Sequence, residues 1–346
     1  MGIYCPYFSL IHLDILLSWF PSKLITRTLK SSTPHSRDNL RLFNNNQSMT
    51  NIKVGIIGGS GFNDPNLFKQ VKVKEVTTQF GNPSDVLTEG FIGDVPCVIL
   101  PRHGKEHIVL PSEVNYRANI WALKEAGCTH ILATCACGSL QEHAQPGDFL
   151  VLDQFYDRTN GREVSFYGSR PGAIKGVLHM PMADPFCEET RQILIQAAKN
   201  LSLDIYDRDS GKTAPKHPCV HTKGSVITIN GPRFSTRFES KLFRSWGLDL
   251  VGMTLVPEVS LAREAGISYA SLAIVTDYDC WKADQAHVSV DIVLQEFRKS
   301  IDKVKKVVLE AVRLIGTRDW TKTIEANQLL VQNSRQDLAH AKGAGK

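Results

Sequence analysis

From Asn51 onward, short apolar runs alternate with amphipathic stretches, and most runs end in glycine or a polar cluster. Val54–Ile57 runs into Gly58-Gly59-Ser60-Gly61, the pattern of a strand entering a glycine turn. Pro96–Leu100 reads as a second buried strand, ending at Pro101-Arg102-His103-Gly104. Between Pro111 and Ala126, Val114, Ala118, Trp121 and Ala122 recur at helical spacing, and Gly127 is placed to cap that helix. His130–Ala136, Phe149–Asp153 and Gly224–Ile229 read as further strands. Phe238–Trp246 predicts a helix, Leu248–Met253 a strand, and Pro257–Ala265 a helix with proline in its first turn. Tyr269–Val275 is another strand, stopping at Thr276-Asp277-Tyr278-Asp279, and a long amphipathic helix from about Ser289 to Ile315 closes the series. Segment 207–221 reads as a polar surface loop inserted before a strand.

Strands alternating with helices predict an α/β sandwich. Polar residues collect directly after the strand ends, where open α/β sheets bind ligands. Residues 1–50 differ in character from the rest of the chain. The first twenty are apolar but interrupted by His12 and Asp14, too short and broken for a membrane span. Residues 21–50 are rich in Ser, Thr, Asn and Arg, which fits either an organellar transit peptide or, as the preferred reading, an upstream extension with Met49 as the natural start. The expected organisation is therefore an extension over 1–50 outside the catalytic unit, a catalytic domain over 51–316, and a C-terminal helix with a polar tail over 317–346.

Composition narrows the function. Of 346 residues, 42% are hydrophobic and 22% charged, and 40 basic against 35 acidic residues give a net charge of +5. That excess is mild and no run of five like charges occurs, so neither a nucleic-acid nor a membrane partner is expected. The eight cysteines show no CxxC pair and sit in apolar strings such as VPCVIL and ATCACG, as reduced core thiols do.

Four constellations carry chemistry. Gly58-Gly59-Ser60-Gly61 can present backbone N–H groups and a hydroxyl to an anion, or can be an ordinary tight turn. It lacks both the third glycine of a dinucleotide fingerprint and the GK[ST] of a P-loop. Arg102 offers a planar fork that matches phosphate and His103 a further donor; the rival is a buried Arg–carboxylate pair. His103 and His107 have helical zinc spacing, but HExxH is absent and no metal is expected. Thr134-Cys135-Ala136-Cys137-Gly138-Ser139 puts small residues at a strand end, where a ligand can approach the backbone, although core packing explains Cys137 equally well. Asp277 and Asp279, straight after a buried strand, can orient a ligand and hand over a proton.

Taken in order, these motifs resemble the trimeric purine nucleoside phosphorylases, in particular their methylthioadenosine phosphorylase branch. The resemblance runs through Gly58–Gly61, Arg102-His103-Gly104, NYRANIWAL at 115–123, Ala136–Ser139, Gly231–Ser235, MTLVPEV at 253–259 and Thr276–Trp281, and covers about 52–316. It implies a single-domain three-layer αβα sandwich around a mixed, barrel-like central sheet. It also implies phosphorolysis of S-methyl-5′-thioadenosine to adenine and 5-methylthioribose 1-phosphate, with inorganic phosphate as co-substrate and no cofactor. Ser60, Arg102, His103, Cys135, Ala136 and Thr254 would face phosphate. Met253, Phe234 and Ser235 would lie along the sugar, and Thr276, Asp277 and Asp279 at the base, with Asp277 as the acid and Asp279 its support. Val290, Val293 and Leu294 would enclose the 5′-alkylthio group, with His179 supplied by a neighbouring subunit of a homotrimer in the cytoplasm or nucleus.

Three positions depart from the usual pattern: Ser60 and Cys135 replace threonines, and Gly252 replaces asparagine. A thiol is a much poorer donor than a hydroxyl, which predicts weaker phosphate affinity. An aspartate at 277 favours a 6-amino purine, since it can accept from the exocyclic amine. The rival readings are a 6-oxopurine or broad-specificity nucleoside phosphorylase, a nicotinamide-dependent oxidoreductase, and a non-catalytic nucleoside-binding protein.

Overall fold

In the computed structural model, residues 51–58, 68–211, 213, 215–284 and 288–336 are described. The chain divides into two compact units, 1–47 and 48–346, and every described residue belongs to the second. The extension over 1–50, Gly59, Ser60 and Gly61, and the end of the tail lie outside the described residues.

The first half comprises β1 (Val54–Gly58), β2 (Lys69–Lys74), β3 (Leu87–Ile92), β4 (Val95–Pro101), α1 (Tyr116–Glu125), β5 (His130–Ser139), β6 (Phe149–Val151) and β7 (Gln154–Arg158). Next come β8 (Val177–Leu178), α2 (Glu188–Asn200), β9 (Ile205–Tyr206), β10 (Val220–His221), β11 (Ser225–Ile229) and α3 (Arg237–Ser245). The last part holds β12 (Leu250–Gly252), α4 (Leu255–Glu264), β13 (Ser268–Asp277), α5 (Val290–Gly316), α6 (Thr321–Ser334) and β14 (Arg335–Gln336).

One mixed sheet runs in the order β2-β3-β4-β1-β5-β13-β6-β10-β9. Strands β4, β1, β5 and β13 are mutually parallel. Strand β5 is long enough to serve two neighbours on one edge: its first residues pair with β1, while Gly138 and Ser139 pair antiparallel with β12. Through β12 the sheet branches to β11 and β7, which makes it barrel-like.

Side chains alternate between two apolar layers, as the period of a strand requires. Ile57, Ile131, Tyr269, Ala273 and Val275 join the core against α1 and α4. Ile56, Leu132, Ala270, Leu272 and Ile274 join the core against α2 and α5, with Ile193, Val304 and Val308. All ten positions of β13 are buried, as expected of a parallel strand covered on both faces. Helices on both faces give the three-layer αβα arrangement.

Two predicted elements differ in extent or kind. The helix expected from Pro111 begins at Tyr116, because Asn115 caps it: its Oδ1 accepts from Ala118 N at 3.1 Å while its Nδ2 donates to Phe80 O. The supposed surface loop 207–221 ends in the sheet, since Val220 and His221 pair with β6 and Cys219 is buried with them. The expected C-terminal helix is present as α6, anchored by Trp320 and Ile324 in the second core.

Candidate active site

The parallel strands β4, β5 and β13 all end on one side of the sheet, as the polar clusters require. There they open into a cavity of about 330 Å³, lined also by the residues following β11 and β12 and by α5. Strand β12 runs against β5, so the chain after Val251 folds back along β5 and brings Met253 and Thr254 to the same cavity.

Two aspartates, Asp277 and Asp279, line it. The Asp277 carboxylate accepts from Thr276 Oγ1 at 2.8 Å and from Asp279 N at 2.7 Å. Burial pushes its pKa above the ordinary carboxylate value, opposed by those two donors. Asp279 is raised as well, first by burial and then by the charge of Asp277, against the hydroxyls of Ser240 and Ser235. Asp279 sits in the left-handed region at φ 49°, which turns its N–H back onto Asp277. A carboxyl with a raised pKa in a cavity is equipped to donate a proton.

Among the other lining residues is a basic pair. Arg102 Nε and Nη2 donate to the two oxygens of Glu258 at 2.7 and 2.8 Å, and Nη1 donates to Thr134 O at 2.9 Å. These bonds use three of the five guanidinium N–H groups. The buried Arg–carboxylate pair and the cavity-lining arginine, set against each other as sequence readings, are therefore the same residue. His103 is pushed down to about 4, by burial first and then by the Arg102 charge. Its Nδ1 faces Val109 O at 2.8 Å and donates to it, so neutral His103 keeps Nε2 as an acceptor toward a protonated ligand oxygen. Cys135, Ala136 and Thr254 line the same cavity. The Cys135 thiol receives the Cys137 S–H at 3.6 Å, and this bond, with Arg102 and Ser271, draws its pKa down.

Met253, Phe234 and Ser235 form part of the cavity wall, as do Val293 and Leu294 from α5. Val290, one turn earlier on α5, is 61% exposed and outside the wall, and Phe297 lines it further along the helix. His179 is exposed beside β8, outside this cavity, with its N–H bonded to Ser334 O.

Three features of the site escaped the sequence reading. Glu258 is wholly buried and also accepts from Tyr269 Oη at 2.7 Å; a carboxylate within the apolar string LVPEVSLA was its one signal. Arg162 donates to the carbonyls of Val256 (2.6 Å), Met253 (2.7 Å) and Asn230 (3.0 Å), fastening the segment that carries Met253 and Thr254. It lies in an irregular polar segment that gave no warning of this. Gly138 is the third: a Cβ there would lie 2.8 Å from Asp277 Oδ1. Gly252, whose effect was illegible in sequence, packs against Cys137, whose Sγ would stand 3.0 Å from an added Cβ.

The Phosphorylase superfamily matches the chain over residues 53–313. S-methyl-5′-thioadenosine phosphorylase of Xenopus tropicalis is 50% identical over 284 residues, covering 82% of this chain and 96% of that protein. The protein of that name from Danio rerio is 47% identical over 287 residues, covering 83% and 97%. Among solved structures, methylthioadenosine phosphorylase from Schistosoma mansoni in complex with adenine is 69% identical, with a TM-score of 0.81, covering 83% of this chain and 100% of that one. A mutant of the adenosine/methylthioadenosine phosphorylase from the same organism, in complex with methylthioadenosine, is 69% identical with a TM-score of 0.80, covering 83% and 99%.

Proposed function

The chain belongs to the Phosphorylase superfamily, in its S-methyl-5′-thioadenosine phosphorylase branch, and on that premise we propose that it cleaves S-methyl-5′-thioadenosine with phosphate. The products are adenine and 5-methylthioribose 1-phosphate, and the reaction is reversible. The observation that carries this reading is the shared cavity: a buried carboxyl with a raised pKa, Asp277, and a buried cation, Arg102, line one space.

Breaking the N-glycosidic bond places positive charge on the sugar and negative charge on the departing base. Protonated Asp277 donates its O–H to N7 of the base while its carbonyl oxygen accepts from the 6-amino group; help of this kind is worth about 10²–10⁴-fold. Asp279 holds Asp277 in place through its backbone N–H. The phosphate dianion attacks the anomeric carbon and offsets the cationic charge there. The two unused N–H groups of Arg102, the Ala136 backbone, Thr254 and Ser60 position it, and His103 Nε2 accepts from a protonated phosphate oxygen.

Val293, Leu294 and Phe297 give the 5′ end of the cavity an apolar wall suited to a thioether. Apolar pockets discriminate against an added hydroxyl only weakly, by about 10²-fold. Adenosine is therefore proposed as a second, slower substrate, in line with the name of the Schistosoma mansoni adenosine/methylthioadenosine phosphorylase. His179, exposed on its own subunit, would complete the 5′ pocket of a neighbour in a homotrimer. The test is adenine release from methylthioadenosine with and without phosphate. Release that proceeds equally without phosphate would refute phosphorolysis, and inosine cleaved as fast as methylthioadenosine would refute the base assignment.

A further inference from the structure

Three stretches of chain, far apart in sequence, meet at Gly231. Its backbone lies in the left-handed region at φ 67°, and a Cβ there would stand 2.7 Å from Met253 Sδ and 3.5 Å from Pro111 Cγ. Pro111, Met253 and, shortly after Gly231, Phe234 and Ser235 all line the catalytic cavity. One side chain outside the cavity ties these three walls together.

Arg162 lies just beyond β7, whose parallel partner β11 ends immediately before Asn230, so the two chains leave the sheet side by side. Asn160 N donates to Asn230 Oδ1 at 3.2 Å, and Arg162 Nη2 donates to Asn230 O at 3.0 Å. The other Nη2 hydrogen goes to Met253 O at 2.7 Å, and Nη1 serves Val256 O at 2.6 Å and Tyr116 Oη at 3.2 Å. Tyr116 Oη donates in turn to Pro111 O at 2.9 Å, with the guanidinium 5.1 Å from the centre of its ring. All the terminal N–H groups of Arg162 are therefore spent on the protein, and a link reaches each wall.

The sequence explains why these carbonyls are open. A helical carbonyl accepts from the N–H four residues on, and the residue at that distance from Met253 is Pro257, which has none. Val256, at φ −106° and ψ 131°, is extended inside α4, so its carbonyl leaves the helical ladder. Backbone carbonyls inside a fold need donors, and Arg162 supplies them from outside the helix.

We infer that Arg162, aided by Tyr116, is a positioning residue for the nucleoside: it touches no substrate, and it sets the spacing of the Pro111, Phe234 and Met253 walls around the sugar. The inference rests on the assignment of Met253 and Phe234 to the sugar. Neither Arg162 nor Tyr116 lines the cavity. The planar fork is required, because a lysine ammonium is a point charge that cannot meet carbonyls on separate segments at once. Arg102 and His103 follow β4, outside this clamp, and of the phosphate-facing residues only Thr254 sits on a clamped segment.

Arg162→Ala, Arg162→Lys and Tyr116→Phe are compared with wild type by initial rates at varied nucleoside and varied phosphate. Arg162→Ala should lose about 10²-fold in kcat/KM for methylthioadenosine, the cost of misplacing groups by about 1 Å. In all three variants the KM for nucleoside should rise more than the KM for phosphate. Arg162→Lys should recover only a minor part of the loss. Tyr116→Phe, which keeps the ring, carries the test if Arg162→Ala does not fold. Amide exchange reads the clamp without substrate: peptides spanning 230–235 and 251–256 should exchange faster in Arg162→Lys than in wild type. Equal rises in the two KM values, or unchanged exchange in those peptides, would overturn the inference. Wild type that releases no adenine would instead sink the phosphorylase reading, and the exchange result would then decide the clamp.

Discussion

Glu258 grips Arg102 through both carboxylate oxygens, at 2.7 and 2.8 Å, with both side chains almost fully buried. The pair aims the guanidinium: it consumes the edge facing α4 and leaves the remaining donors for the cavity. Glu258→Gln removes the countercharge and should cost about 3–5 kcal/mol of stability, because it strands a buried cation. It should also raise the KM for phosphate far more than the KM for nucleoside. Urea melts and initial rates at varied phosphate check both, and an unchanged phosphate KM would contradict the aiming role.

Asp277→Asn should lower kcat on methylthioadenosine by about 10²–10⁴-fold, the usual worth of a general acid. Relative activity on 6-oxopurines should rise. Since burial raises the Asp277 pKa, the protonated acid persists above the ordinary carboxylate range, and activity falls as pH climbs through that raised value. The variant should lose this limb of the pH–rate profile. If it retains the limb, another group is the acid.

Gly138→Ala tests the space in front of the acid. Its methyl would sit 2.8 Å from Asp277 Oδ1 and 3.3 Å from Asp279 Cβ, so one or both aspartates must move. The expected result is a loss of kcat with a folded, cooperative melting transition. Wild-type kcat would show that the aspartates tolerate displacement.

Cys135→Thr supplies a hydroxyl where a weak thiol donor lines the cavity. One added hydrogen bond to an anion should lower the phosphate KM by about tenfold to 100-fold, at about 1.5–3 kcal/mol per bond. Phosphate kinetics decide it; a raised KM would place Cys135 away from the anion.

His130 makes a stability prediction. Burial holds its pKa down to about 3, with the ring edge-on to Trp320 at 4.4 Å. The unfolded chain protonates it near 6.5, so between 6.5 and about 3 the unfolded state binds a proton that the native state refuses. Stability therefore falls as pH drops through that window, approaching about 1.4 kcal/mol per pH unit from this group. His103, held near 4, adds the same sign between 6.5 and 4. His130→Asn should flatten the fall in thermal midpoint between pH 6 and 4; an unchanged slope would remove His130 from the account.

Strand-end clusters were legible because each belongs to one short stretch of chain. The nearly continuous apolar run Tyr269–Val275 announced a buried strand, and a carboxylate directly after it announced chemistry. The hairpin β2–β3 and helix α2 were not read, and β2 explains why: all six of its residues are exposed, and its alternation is two valines among lysines, too short to announce a strand. Capping moved the start of α1 to Tyr116 through a bond to Phe80, 35 residues away.

By itself the sequence determined the strands and helices that carry the site clusters, the identity of Asp277, Arg102 and their neighbours as chemical groups, and the family those motifs mark. These follow from local periodicity and side-chain chemistry. Only the tertiary structure decided that Arg102 is clasped by Glu258, that Arg162 fastens the Met253 segment, that Gly138 leaves room for Asp277, and that Asp148 meets His217 and His221. Each joins residues distant in the chain. No local pattern encodes such pairings, because strand order and the packing of the layers choose them.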